Sequence, residues 1–175
     1  MKPVTQSILL KEAKNLLLLL KKHGIQLVLA ESCTGGMVSA TLTKLPGISK
    51  YFCGSSVVYQ TATKSTWLKI PQSLFQKHDP ASPAIAEKMA LQILKKTPHA
   101  TLSAAITGYL GPESPPKSNG LIFISVAMRK KNHSKIQPSV FTQKHHLPPG
   151  SRTQRQLIAS HSVLLMVRSL LKICA

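Results

Sequence analysis

Segments with helical spacing alternate with short apolar runs through the N-terminal half of the chain, and further apolar runs then follow one another directly. That order predicts a mixed sheet flanked by helices, an α/β fold. Residues 6 to 23 place Ile8, Leu9, Ala13, Leu16, Leu17 and Leu20 at helical spacing, and Gly24 supplies the stop. Strands are expected over Ile25 to Ala30, Phe52 to Tyr59, Leu102 to Ile106, Leu121 to Ala127 and Ile136 to Thr142. Thr34 to Lys44 reads as a helix that ends at Leu45-Pro46-Gly47, and residues between Tyr59 and Lys69 read as irregular and weakly helical. Pro71 suits the first position of a short helix to Lys77. Ser82 caps an amphipathic helix to Lys96, closed by Pro98, and Gln154 to Ile173 reads as a long final helix.

Neither a linker nor an internal repeat divides these elements, so a single domain over residues 1 to 175 is expected. The run Leu16 to Leu20 is stopped by Lys21 and Lys22, far short of the ~18 apolar residues a membrane span needs. With no signal-peptide pattern either, the expected setting is cytoplasmic, without membrane attachment. Cys33, Cys53 and Cys174 form neither an even set nor a Cys-x-x-Cys pair, which suggests reduced thiols and no metal site.

Charge limits the chemistry further. The chain has 23 Lys and Arg against 5 Asp and Glu, a formal net charge of +18, which favours anionic ligands and raises nucleic acid as a partner. The cations are scattered, with Arg129, Lys130 and Lys131 the densest cluster, and aromatic residues make up only 5%, so stacking platforms for single strands are scarce. A basic solvated surface accounts for the same composition, and nucleic-acid binding is not favoured. Glu12, Glu31, Asp79, Glu87 and Glu113 are the only carboxylates, which leaves few members for paired-carboxylate or carboxylate-rich magnesium chemistry.

The candidate chemistry sits at strand ends. Ala30-Glu31-Ser32-Cys33-Thr34-Gly35-Gly36 places a hydroxyl between an apolar strand and a helix start, where free N–H groups can hold an oxyanion or a phosphate. The spacing alone fits equally well an ordinary turn in which Ser32 or Thr34 is an N-cap. A nucleophilic serine needs a base, and Lys64, just past the second strand, could serve if its amine lost its proton, with Tyr59 to orient it or relay a proton. Read by themselves, the two are more often a solvated surface lysine and a sheet-edge aromatic. Thr107 and Gly108 end a third strand, and Arg152 and Arg155 open the last helix with groups suited to phosphate.

Taken in order, LVLAESCTGG, SSVVYQTATK, AAITGYLGP and PGSRTQRQ resemble the C-terminal domain family of the competence-damage-inducible protein CinA, which includes nicotinamide-nucleotide amidases. The resemblance covers nearly the whole chain and implies a three-layer α/β/α sandwich with a mixed sheet. It also implies deamidation of nicotinamide mononucleotide without cofactor or metal, in a homodimer. By position it assigns Ser32 as nucleophile, Lys64 as base and Tyr59 as the third catalytic residue, with Cys33, Thr34, Gly35, Gly36, Thr107, Gly108, Arg152 and Arg155 around the substrate. The chain departs from the family where Gln60-Thr61-Ala62-Thr63 replaces Ser-Asn-Glu-Ala. It departs again at Glu113 to Gly120, and Arg155 stands one residue early. The alternatives are a non-catalytic module of the same fold that binds a nucleotide or a protein, and a basic nucleic-acid-binding protein.

Overall fold

The computed structural model describes residues 3–129 and 138–173. Five strands form one mixed sheet in the order β2-β1-β3-β4-β5: β1 (Leu27–Glu31), β2 (Phe52–Val57), β3 (Leu102–Gly108), β4 (Leu121–Met128) and β5 (Ser139–His146). β1 lies parallel to both β2 and β3, while β4 runs antiparallel to both its neighbours, β3 and β5. The helices are α1 (Gln6–His23), α2 (Met37–Leu42), α3 (Thr61–Leu68), α4 (Gln72–Lys77), α5 (Pro83–Lys96) and α6 (Arg152–Ile173). The expected α/β sandwich is therefore the one observed.

Period-two alternation divides the sheet between two cores. Leu27, Leu29, Leu102, Ala104, Ile106, Ile122, Ile124 and Val126 face α1, α2 and α6. Val28, Ala30, Ala105 and Ala127 face Leu68, Ile85, Met89 and Ile93 on the opposite side. Both faces of β1 and β3 are covered, so Leu27–Glu31 is buried at every position. α1 and α6 pack together, joined by the ion pair Arg168–Glu12. Among the described residues, α6 is the helix that is long and apolar enough, at 22 residues, to cross a membrane. In this fold its Ala159, Val163, Leu164, Met166 and Val167 are part of the first core.

Element boundaries follow local chemistry. Thr5 Oγ1 accepts from Ile8 N to start α1, and Gly24 ends it in the left-handed region at φ 61°. α5 begins on Ser82, whose hydroxyl accepts from Ile85 N. Several expected boundaries shift. The first strand begins two residues later than expected and ends one residue later, and the second ends at Val57, so Tyr59 lies beyond it. The helix expected over Thr34 to Lys44 is only Met37–Leu42, because residues 33–36 form turns. The stretch expected to be irregular is the regular helix α3, where Gln60 N–H donates to Thr63 Oγ1 at 3.1 Å across the first turn. Pro71 caps α4 and is not its first residue. The last strand was expected over Ile136 to Thr142, of which 136 and 137 lie outside the described residues; the observed strand extends to His146. Lys130, Lys131 and Cys174 also lie outside them. Arg129 is fixed, donating to Ala100 O at 2.9 Å and Leu94 O at 2.6 Å at the end of α5.

Candidate active site

β1 ends in Glu31, and that carboxylate organises everything that follows it. It is 1% exposed and accepts from Thr34 Oγ1 at 2.8 Å, Val38 N at 3.1 Å, Ser39 N at 2.9 Å and Ser55 Oγ at 3.3 Å. A carboxylate at a helix start is favoured by the unpaired N–H groups and the dipole, and here it ties β1, β2 and α2 together. The turn it closes carries Ser32, whose carbonyl accepts from Gly35 N at 2.9 Å. Gly35 and Gly36 take φ values of 61° and 93°, a region that a side chain would strain.

Ser32 faces a cleft of about 630 Å³ at the carboxyl ends of β1 and β3. Its wall also includes Cys33, Tyr59, Lys64, Pro80, Thr107, Gly108, Tyr109 and Arg152. The three strand ends singled out in the sequence therefore converge. Parallel strands point their carboxyl ends the same way, and their connections leave a crevice there.

Lys64, on the first turn of α3, is only 3% exposed. Its Nζ donates to Thr107 Oγ1 at 3.1 Å and to Pro80 O at 3.3 Å, and Thr107 Oγ1 donates in turn to Pro80 O at 2.9 Å. No carboxylate forms a salt bridge with this amine among the described residues. Burial pushes its pKa below the ordinary 10.5, opposed by the negative charge of Asp79. The positive end of the α3 dipole acts in the same direction as burial. The neighbouring Cys33 thiol is pushed up to about 12 by its own burial, so at neutral pH it is an uncharged thiol that lends the lysine no counter-charge. A neutral lysine amine has two N–H groups and one lone pair. Thr107 and Pro80 accept the two hydrogens, which leaves the lone pair for a third direction.

Across the cleft, the Arg152 guanidinium donates to Tyr59 OH and, at 2.8 Å, to Gly111 O. Tyr59 is 55% exposed, so this bridge joins the segment after β2 to the start of α6 over the mouth of the cleft.

Not every expected site residue lies here. Thr34, Gly35 and Gly36 line a second cleft of about 530 Å³ on the far side of the turn, with Gln156 donating to Thr34 O at 2.8 Å. Arg155 is buried behind the cleft and does not line it. Its guanidinium donates to Pro148 O at 3.0 Å, Leu110 O at 3.3 Å and Asn119 Oδ1. Gly108 lines the cleft for a packing reason: a Cβ there would stand 2.6 Å from both Leu121 O and Ile122 Cγ2. Sequence reasoning also passed over Pro80, whose carbonyl is the second acceptor for Lys64, and Asp79 beside it. No local signal marks a backbone carbonyl as a partner. A capping carboxylate such as Glu31 could have been found from an acid three residues before the Thr-Gly-Gly turn.

A mixed-sheet α/β/α sandwich with a cleft at the carboxyl ends of its parallel strands is the class this geometry defines. Residues 10–171 match the model of the CinA C-terminal domain, and the chain belongs to that family. It is 35% identical over 154 residues to a CinA-like protein of Desulfotalea psychrophila, a match covering 87% of this chain and 35% of the relative. It is also 32% identical over 152 residues to a CinA-like protein of Myxococcus xanthus, covering 85% and 34%. The chain thus spans about a third of the length of these curated relatives. Among solved structures, a CinA superfamily protein of Klebsiella pneumoniae superposes with a TM-score of 0.84 at 22% identity, over 94% of this chain and 98% of that one. The competence/damage inducible protein CihA of Agrobacterium tumefaciens gives 0.83 at 23% identity, over 93% and 94%. At these identities the likeness concerns the fold.

Proposed function

We propose that this chain hydrolyses the carboxamide of nicotinamide mononucleotide, giving nicotinate mononucleotide and ammonia, with Ser32 as nucleophile and Lys64 as base. The observation that carries the reading is a buried lysine, without a salt-bridge partner among the described residues, held by Thr107 and Pro80 in the same cleft as Ser32. Burial makes such an amine give up its proton more readily than a solvated one, which is what a general base for a hydroxyl requires.

In the reaction so read, the Lys64 lone pair takes the Ser32 Oγ proton as Oγ attacks the carboxamide carbon. The carbon becomes tetrahedral and its oxygen anionic, and the backbone at Cys33, where the turn after β1 lines the cleft, supplies the donor that stabilises that charge. One oriented donor of this kind contributes ~2.7 to 4 kcal/mol. Lys64 then hands its proton to the leaving nitrogen, ammonia departs, and a nicotinoyl ester remains on Ser32. Water, deprotonated by Lys64, attacks the ester, and the acid leaves as Ser32 regains its proton. Lys64 Nζ is hydrogen-bonded to Thr107 and Pro80 and not to Ser32, so substrate binding is read as bringing the hydroxyl and the lone pair into line. Tyr59 and Arg152, already paired, close over the nucleotide. The homodimeric state is part of the same proposal.

The test is ammonia release from nicotinamide mononucleotide by the intact chain and by Ser32→Ala and Lys64→Ala. Turnover by the native chain that both substitutions abolish is the expected result. Equal activity in all three would sink the assignment, and tight nucleotide binding without turnover would favour a binding module.

A further inference from the structure

The turn Asp79-Pro80-Ala81 is built around a carboxylate. Asp79 Oδ1 accepts from Ala81 N at 2.7 Å, folding the chain back on itself. The hydroxyl of Tyr109, just beyond β3, donates to the same carboxylate at 2.9 Å and 3.1 Å. Held from both sides, the turn presents the one backbone carbonyl that accepts from both Lys64 Nζ and Thr107 Oγ1. We propose that Asp79 is a positioning residue for Lys64: it fixes the Pro80 carbonyl against the amine, with Tyr109 as the clamp that fixes Asp79. The proposal deepens the amidase reading and rests on it for its catalytic consequence alone.

Geometry gives the chain of cause. A proline carbonyl in an unsupported loop would sample several directions, and Lys64 would then keep only Thr107 as a fixed acceptor. With Pro80 O fixed, two of the nitrogen's tetrahedral positions are defined and the third is set by default. Asp79 also brings a negative charge near the amine, which opposes the effect of burial. The other titratable or charged groups lining this cleft are Cys33 after β1, Tyr59 after β2, Tyr109 and Glu113 after β3, and Arg152 at the start of α6. Cys33 is uncharged at neutral pH, and Tyr109 is pushed above its ordinary value of 10.0 by burial and by Asp79, so it stays a hydrogen-bond donor.

The experiment uses the full chain and its Asp79→Asn, Asp79→Ala and Tyr109→Phe variants. Acetic anhydride labelling is resolved by residue with mass spectrometry across pH, and exposed Lys69 is the internal reference. Deleting the carboxylate charge is expected to move the Lys64 labelling midpoint to lower pH by roughly half a unit or more in both Asp79 variants. Ammonia release from nicotinamide mononucleotide is expected to lose roughly 10-fold or more in kcat in Asp79→Ala, with KM nearly unchanged. Asp79→Asn, which keeps an acceptor for Ala81 N, is expected to recover most of that loss while its acid limb stays shifted to lower pH. A Lys64 midpoint unmoved in both Asp79 variants, or an active Asp79→Ala enzyme with native kcat, overturns the proposal. No ammonia release by the native protein, together with the midpoint shift in the Asp79 variants, refutes the amidase reading and leaves the positioning role standing.

Discussion

The Thr107 hydroxyl accepts from Lys64 Nζ at 3.1 Å and donates its own hydrogen to Pro80 O at 2.9 Å. A single hydroxyl from β3 therefore orients an amine from α3 and is itself oriented by the loop before α5. Thr107, expected around the substrate, lines the cleft, and its two hydrogen bonds go to Lys64 and Pro80. Thr107→Val, nearly the same shape, removes both hydrogen bonds. The expected result is a kcat for ammonia release lower by roughly 10-fold or more, with KM little changed, and recovery in Thr107→Ser. A Thr107→Val enzyme with native kcat and raised KM would place the hydroxyl on the substrate instead.

Lys64 is expected to weaken the fold that it serves. Its folded pKa lies below the unfolded value of 10.5, so between those two values the unfolded chain binds more protons than the folded one. Stability in that window rises with pH, and the cost of burying the charge is fully present below the folded pKa and gone above the unfolded one. Lys64→Met should therefore raise Tm at pH 7 while abolishing turnover, and calorimetry on both proteins reads the difference. The gain should shrink as the pH approaches 10.5.

Glu31 holds four donors in a buried site, so Glu31→Ala strands them together. The expected loss is about 3 kcal/mol or more in urea unfolding, with Glu31→Gln losing less because the amide keeps one acceptor oxygen. Turnover should fall along with it, since the same carboxylate fixes the turn that carries Ser32.

The two arginines of α6 separate binding from stability. Arg152 lines the cleft, and Arg152→Met is expected to raise KM by about 10-fold or more with Tm nearly unchanged. Arg155 is 8% exposed and donates to Leu110 O, Pro148 O and Asn119, so Arg155→Met is expected to cost about 2 kcal/mol or more of stability while native KM is retained in the folded fraction. Thermal melts alongside Michaelis–Menten curves distinguish the pair, and a reversal of the two outcomes would exchange the roles.

Local periodicity made α1 and α5 legible, because each carries its apolar residues at helical spacing between a hydroxyl cap and a stop at Gly24 or Pro98. α3 escaped the same reading: Thr-Ala-Thr-Lys-Ser-Thr has almost no apolar period, and its first turn is stabilised by the Gln60–Thr63 pair. β5 runs on through Gln143, Lys144, His145 and His146, polar residues that an edge strand tolerates because much of it faces water. Gln60 and Thr63 have a structural use in this chain as a helix cap, and Asn119 as an acceptor for Arg155.

Order along the chain was enough to determine the mixed sheet, the serine at the end of its first strand and a basic helix start near the C-terminus, since strand and helix periods are properties of neighbouring residues. Only the tertiary structure decided that Lys64 is buried, that Thr107 and Pro80 hold it, and that Arg155 is a clamp behind the cleft. Burial and hydrogen-bond partnership are created by segments distant in sequence, and no spacing within one segment encodes them.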